Sequence, residues 1–491
     1  MSNDYTKIAK QIKTYGHAQG LMKYINYESL LEQHKKQTKG KATGVDGIDK
    51  TEYEKEIKEN IEEIIKEMKT FKYRPMPVKR VYIPKLGSDK LRPLGIPAYR
   101  DKIVQGAFSK VLNAIYENIF LDCSYGFRPG RSCHDAIKEL DKIIQNKRVN
   151  YILDADIKGF FDNVDHKWLI KFLEHEIQDK HFIRYIGRFL NSGIMEQGKK
   201  IKVDQGTPQG GLISPILANV YLHYILDLWI EKDIKKRYNG EIYLIRYADD
   251  FVICFEYEKE AYKFYEELKE RLKKFNLKLE ESKTKIIKMG KSNNGSKDSF
   301  DFLGFTHYNG KTRKGYYKTV HKTSNKKLKA KKQNAKKWIK ENIEQKPTEI
   351  IKKLNIKLIG HYRYYGITDN YNKLEEFRRY VVRTLFKELR RRGQKRRISW
   401  EKFNRILKYN PIAEPRIYVK LYWGKRLLQR AVCLNRARTV LWGAEVKTKE
   451  ERIMRKTKEL ETVDTVERER ERESHSLFNM ESVYSTKCFG K

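Results

Sequence analysis

Apolar residues in this chain follow two periods. Tyr151-Ile-Leu-Asp-Ala-Asp-Ile157 and Ile242-Tyr-Leu-Ile-Arg-Tyr-Ala-Asp-Asp-Phe-Val-Ile-Cys-Phe255 are rich in β-branched and aromatic residues. Those types fit a pleated surface, so both runs predict strands, with a tight turn at Asp249-Asp250. Elsewhere the spacing is helical. Ile57, Ile61, Ile64, Ile65 and Met68 share a face over 51–70, and Ile103, Val104, Ala107, Phe108, Val111, Leu112 and Ile115 predict a helix over 101–119. Residues 1–35, 136–145, 259–275 and 373–391 also read as helix, and 212–229 as a helix capped by Ser214 with Pro215 in its first turn. Val78, Val81 and Ile83 predict a strand that the neighbouring prolines confine to a sheet edge. The pattern is that of an α+β chain whose strands end near residue 310 and whose continuation is helical.

Composition adds a partner. The 491 residues carry 105 Lys plus Arg against 64 Asp plus Glu, a formal charge of +41. Such an excess repels itself unless a polyanion neutralises it, so nucleic acid is expected. No apolar run is long enough to span a membrane, and the N-terminal residues lack a signal peptide's apolar core. With 39% hydrophobic residues, 32 Tyr and 21 Phe, there is material for a core, which excludes a merely basic disordered chain. The cysteines (123, 133, 254, 433 and 488) show no C-x-x-C pair, so no zinc ribbon is indicated. A scattered, odd set suits reduced thiols in a cytoplasm.

The chemistry-bearing positions are acidic. An Asp-Asp turn is most often solvated. Here a second strand, about ninety residues upstream, also ends in carboxylates: Asp154, Asp156 and, after it, Asp162. If the fold brings the two ends together, they form a cradle for hard cations and for two-metal phosphoryl transfer. Lys85 and Arg92 flank a Gly87 turn and are cations that could grip a triphosphate.

Tyr247-Ala-Asp-Asp250, Asp156-Ile-Lys-Gly-Phe-Phe-Asp162 and the intervening Gln205-Gly-Thr-Pro-Gln-Gly-Gly-Leu-Ile-Ser-Pro-Ile-Leu-Ala-Asn219 resemble, in order and spacing, the motifs of reverse transcriptases. The similarity is greatest to bacterial group II intron-encoded proteins and spans roughly residues 40 to 420. It implies a right-hand polymerase: an N-terminal helical extension (1–70), fingers and an antiparallel-sheet palm (71–310), an α-helical thumb or maturase domain (320–420) and a basic, charge-rich tail (421–491). It implies that Asp156, Asp249 and Asp250 are catalytic and hold two Mg2+ ions, with Mn2+ as a substitute. It assigns nucleotide contacts to Lys85, Arg92, Phe161 (a steric gate against the 2′-hydroxyl), Gln209 and Lys283, a donor to departing pyrophosphate. Phe302, Leu303 and Gly304 resemble the hairpin that grips the primer end. Arg128 and Lys41, with Lys39 beside it, become primer or template contacts. Asp154 reads as structural and Asp162 as a local cap. Gly360-His-Tyr-Arg-Tyr-Tyr365 is the best thumb match.

The implied function is RNA-directed DNA synthesis, with binding of a host intron RNA and help in its splicing and mobility. The partners are then RNA and a DNA primer or target, with no membrane, and the location is the bacterial cytoplasm and nucleoid. Two alternatives stand beside it: an RNA-binding splicing cofactor with dispensable polymerase activity, and a stand-alone defence, diversity-generating or CRISPR-linked reverse transcriptase. No paired cysteines and histidines of an endonuclease occur, so second-strand cleavage is not expected. The lysine-rich run 322–340 reads as a solvated helix face, and 445–475 as a frayed helix or disorder. Oligomeric state is not legible.

Overall fold

A computed structural model describes residues 3–84, 91–196, 198–201, 205–207, 210–392 and 397–421. Lys85, Gln209 and the expected tail beyond Leu421 lie outside the described residues. The chain forms two compact units that divide between Val320 and His321.

The first unit is built on β1 (Val78–Pro84), β2 (Leu91–Ile96), β3 (Tyr151–Asp156), β4 (Ile194–Glu196), β5 (Lys199–Ile201), β6 (Ile242–Tyr247), β7 (Asp250–Phe255), β8 (Lys285–Lys288), β9 (Ser299–Phe302) and β10 (Phe305–Lys311). β11 (Tyr317–Thr323) leads out of it. The central sheet has the order β6-β7-β3-β8 and is antiparallel throughout. It is buried on both faces, which is why its strands read as nearly continuous apolar runs. Leu153, Ala155, Phe251, Ile253 and Phe255 join the main core, against the helix Ser214–Leu222 and its continuation. Ile152, Val252, Cys254 and Ile245 join a second cluster with the helix Cys133–Asn146 and with Phe300 and Phe302 of β9. That helix starts where Ser132 accepts from the Asp135 N–H while the Asp135 side chain accepts from Ser132, satisfying donors the first turn would otherwise leave free.

Three expectations change. β1 is an interior strand, because β4 pairs in parallel with its first residues, Val78 and Lys79, ahead of Pro84. The edge strand that carries a proline is β2, with Pro93. Residues 1–35 are not one helix: Gly16 and Gly20, both at positive φ, break them into Asn3–Tyr15, a short 3-10 turn and Tyr27–Lys36. Ser214 begins its helix rather than capping it, for Ile213 takes the N-cap position without a side-chain bond.

Among the described residues the second unit holds the helices Asn325–Glu341, Pro347–Tyr365, Tyr371–Arg392 and Trp400–Tyr409. Their apolar faces meet through Leu354, Leu358, Tyr362, Leu374, Phe377, Val381 and Leu385. No helix among the described residues is long and apolar enough to cross a membrane.

Candidate active site

β-pairing brings the two acidic strand ends together. In the β3–β7 ladder Asp156 lies directly opposite Asp250. Side chains of register partners share a face, and residues two apart share it too, so Asp154, Asp156 and Asp250 project from one side of the sheet. Asp249 occupies the two-residue β6–β7 turn, since Tyr247 pairs with Asp250. Ala248, the first residue of that turn, has φ 57. Glycine usually fills such a position, and a side chain there costs of order 1–3 kcal/mol.

The carboxylates are crowded and poorly hydrated. Burial, and then the charges of Asp154, Asp249 and Asp156, push the Asp250 carboxyl up to about 8. Burial and the Asp301 and Asp156 charges push Asp154 to about 7. Asp249 is raised chiefly by burial, with Asp156 adding to the effect and Arg92 and Arg246 opposing it. The Leu303 backbone N–H, at the β9–β10 bend, stabilises the Asp250 carboxylate. Lys283 is paired with the Asp156 carboxylate, and this partner raises the ammonium's own pKa.

The fold therefore gathers Asp156, Asp249, Asp250, Lys283, Leu303 and the exposed Arg92 on β2 around one sheet end. Phe161 is half-buried in the 3-10 turn that follows β3. Its carbonyl accepts the Thr207 N–H at 2.7 Å, and the Gly206 N–H binds Val164 at 2.7 Å. Gly206 has φ +89, and a Cβ there would lie 2.9 Å from the Asp162 carbonyl oxygen. A bare backbone is needed for this loop to close over the Phe161 turn.

Other expected residues stand elsewhere. Arg128 is turned inward, 6% exposed. Its Nε and Nη2 bind Glu117 at 3.0–3.2 Å and its Nη1 binds the Leu121 and Ser124 carbonyls at 2.7 and 2.9 Å. Its donors serve the fold, which corrects the expectation of a primer or template contact. Phe302 is fully buried, leaving Leu303 (φ 50) and Gly304 (φ 81) to form the accessible bend. Lys41 is exposed on a loop pinned to the helix Tyr99–Tyr116 by the Tyr99 N–H to Asp46 (3.1 Å) and by Lys102 to the Ala42 carbonyl (2.8 Å). Lys39 pairs with Glu54 at 3.4 Å. The local cap expected of Asp162 belongs to Asp165, whose carboxylate accepts from the Trp168 N–H.

Sequence reasoning missed a supporting layer beneath the turn: Arg246, Asn219, Asp227 and Gly126. The available signal was an arginine inside an otherwise apolar strand and two polar residues inside an apolar helix, since a buried polar group needs a partner.

All donors at the sheet end are oxygens, which suits hard divalent cations. Among the described residues no three Asp, Glu, His or Cys side chains are already closed into a metal cluster.

Residues 83–307 match the family model described as "Reverse transcriptase (RNA-dependent DNA polymerase)". Group II intron-encoded protein LtrA of Lactococcus lactis subsp. cremoris is 40% identical over 215 residues, 43% of this chain and 34% of that protein. This chain thus spans about a third of LtrA's length. Protein YkfC of Escherichia coli (strain K12) is 31% identical over 307 residues, 56% of this chain and 78% of YkfC. Nuclear intron maturase 2, mitochondrial, of Arabidopsis thaliana is 25% identical over 182 residues, 28% of this chain and 24% of that protein.

Proposed function

This chain belongs to the reverse transcriptase family, alongside the group II intron-encoded proteins, and from that premise we propose that it is an RNA-directed DNA polymerase that also binds an intron RNA and assists its splicing and mobility. The carrying observation is the cross-strand pairing of Asp156 with Asp250, with Asp249 at the adjoining turn. The fold of the matched region is the α+β right-hand polymerase.

Asp156, Asp249 and Asp250 are the proposed ligands of two Mg2+ ions, for which Mn2+ can substitute. Burial first, and neighbouring carboxylates second, raise Asp249 and Asp250, and a divalent cation relieves both. Bound there, the ions would make the primer 3′-hydroxyl a better nucleophile and shield the developing pyrophosphate charge.

The chain's own groups do the positioning. Arg92 and Lys85 meet the triphosphate. Phe161 crowds the 2′ position of the incoming nucleotide, and Gln209 lies along its sugar and base. Lys283, a cation already at Asp156, hands a proton to the departing pyrophosphate as general acid. The Leu303-Gly304 bend carries the primer end beside Asp250. The loop with Lys41 runs along the template, and the helices of the second unit act as the thumb. RNA template, intron RNA and DNA primer are the partners that the +41 charge answers, and the bacterial cytoplasm and nucleoid the place.

The test is primer extension on an RNA template with Mg2+ and deoxynucleotides. Wild type should extend, and the Asp249→Ala, Asp250→Ala double variant should not, while still binding RNA. A well-folded wild type that binds RNA without extending would sink the polymerase and favour the splicing cofactor.

A further inference from the structure

The turn that presents Asp249 rests on a buried polar network. Arg246, on β6, is wholly inaccessible to solvent. Its side chain points away from the aspartates, because residues 246 and 251 share the face opposite to 250. There Nε binds Asp227 Oδ1 at 2.7 Å and Nη2 binds Asp227 Oδ2 at 2.5 Å. Nη1 has two further acceptors: Asn219 Oδ1 at 2.9 Å and the carbonyl of Ala248 at 3.0 Å. The guanidinium therefore grips the backbone of the strained residue directly before Asp249.

Every partner is itself held. Asp227 lies in a π-helical turn, His223–Asp227, which breaks the α-helical period beneath the sheet. His223 Nδ1 stands 3.7 Å from its carboxylate. Asn219 Nδ2 donates to the Gly126 carbonyl at 2.7 Å. Gly126 lies so close that a Cβ on it would collide with the Ala248 backbone nitrogen. The Arg246 backbone is tied on both sides, its N–H to Cys123 and its C=O to the Tyr125 N–H, each at 2.8 Å.

A fully buried ion pair is weak grounds for stability, because desolvation offsets the attraction. What this pair supplies is direction. The flat guanidinium fork orients three acceptors at once, and one of them is the Ala248 peptide. We propose that Arg246, locked by Asp227 and Asn219 and backed by Gly126, is a positioning residue: it holds the Ala248 peptide in its left-handed conformation and thereby aims the Asp249 carboxylate at the reacting phosphate and its cation. This rests on the polymerase reading given above.

The experiment uses the full chain. Arg246→Met with Asp227→Leu replaces the pair by apolar side chains of similar volume, a change that is often neutral for stability. The expected double variant melts close to wild type and keeps its RNA affinity and its KM for deoxynucleotide. Its kcat falls about 100-fold, the scale of a small misplacement in an active site, and it needs more Mg2+ for half-maximal rate. A purely structural role would lower the melting temperature and the active fraction without moving the Mg2+ dependence. A folded double variant with wild-type kcat and Mg2+ dependence overturns the proposal.

If that variant does not fold, Asn219→Ala keeps the ion pair and removes the Asn219 hydrogen bonds to Arg246 and to the Gly126 carbonyl. About a tenfold loss of kcat is expected, at the low end of what misplacement costs, and an unchanged kcat overturns the proposal. Arg246→Lys retains the charge but not the fork, so it should stay impaired, and full activity in it shows that charge suffices and also overturns the proposal. Calorimetric titration with Mg2+ alone reads the same geometry without synthesis. Weaker binding in the variants is expected even if the wild type proves unable to extend a primer, which separates failure of this proposal from failure of the polymerase reading.

Discussion

The carboxylates at the end of β3 and the start of β7 and the lysines of the helix Asn325–Glu341 are both dense runs of one sign, and the fold treats them in opposite ways. The acids stand at the rim of a sheet with apolar packing on both faces, and burial raises Asp154, Asp249 and Asp250. The lysine helix buries only Leu328, Ala330, Trp338 and Ile339 and leaves most of its cations in water. A few pair with acids, Lys332 with Glu376 at 2.6 Å and Lys337 with Glu341 at 3.8 Å. A solvated charge costs the fold little and acts on whatever polyanion arrives. A desolvated cluster destabilises the fold until a cation reaches one particular point. The first arrangement suits general affinity for a phosphate backbone, the second suits chemistry at a fixed place.

The sharpest break of this contrast is Asp249→Ala. Losing a proposed cation ligand, which on that proposal contributes several kcal/mol of charge stabilisation, should slow single-nucleotide addition by about 10³-fold or more. RNA affinity, measured by filter binding, should not weaken. Equal loss of both would mean that the two regions are not separable in function.

Phe161→Val probes the neighbouring wall. On the proposed role of Phe161 beside the 2′ position, the smaller side chain should improve ribonucleotide use relative to deoxynucleotide by about 10–200-fold, the range a shape change in a pocket gives. Competition assays with paired triphosphates read this ratio, and an unchanged ratio removes Phe161 from the nucleotide site.

Replacing the exposed Lys326, Lys329, Lys336 and Lys340 by Gln tests the other side of the comparison. The slope of log affinity for RNA against log salt should fall by about 0.7–0.9 for each phosphate that is no longer neutralised. The rate on template already bound should stay at the wild-type value. A lower rate at saturating template would show that the helix reaches the chemistry.

Smallest in its effect on activity is Asp101, a buried carboxyl outside the acidic rim. It accepts from the Tyr73 hydroxyl at 2.5 Å and from the Met76 N–H at 2.8 Å, yet burial holds it at about 6. A carboxyl raised in the native state keeps a proton that the unfolded chain releases. Stability from this group is therefore greatest below about pH 4 and declines as pH rises to about 6, by no more than ~3 kcal/mol. Urea unfolding across pH 4 to 7 should show a steeper decline of stability in wild type than in Asp101→Asn, which keeps the contributions of the raised Asp154, Asp249 and Asp250 but not that of Asp101. A parallel pair of curves would place the titration elsewhere.

Much of the fold is legible in the order of the amino acids. The run that ends in Asp156 and the run that begins at Asp250 are strands because β-branched and aromatic residues crowd them, and both are strongly apolar because both faces of the sheet are covered. Their register is not legible, since the partners lie about a hundred residues apart and nothing local sets that pairing. The interior place of β1 is hidden for a related reason: its parallel neighbour β4 is only three residues long.

Arg128 and Arg246 mark the limit most clearly. Each is an arginine in a motif-bearing stretch of a strongly basic chain; sequence alone offers the first as a primer or template contact and gives the second no role. Only the tertiary structure shows that Glu117 and three-dimensionally adjacent carbonyls claim the first, and that Asp227, Asn219 and the Ala248 peptide claim the second. By itself the sequence determined which residues are chemically able to serve: the acidic pairs, the excess of cations, the glycines at the close approaches and the α+β alternation. The fold decided which of them meet, because the free energy of a buried charge depends on partners that are distant along the chain and adjacent only in space.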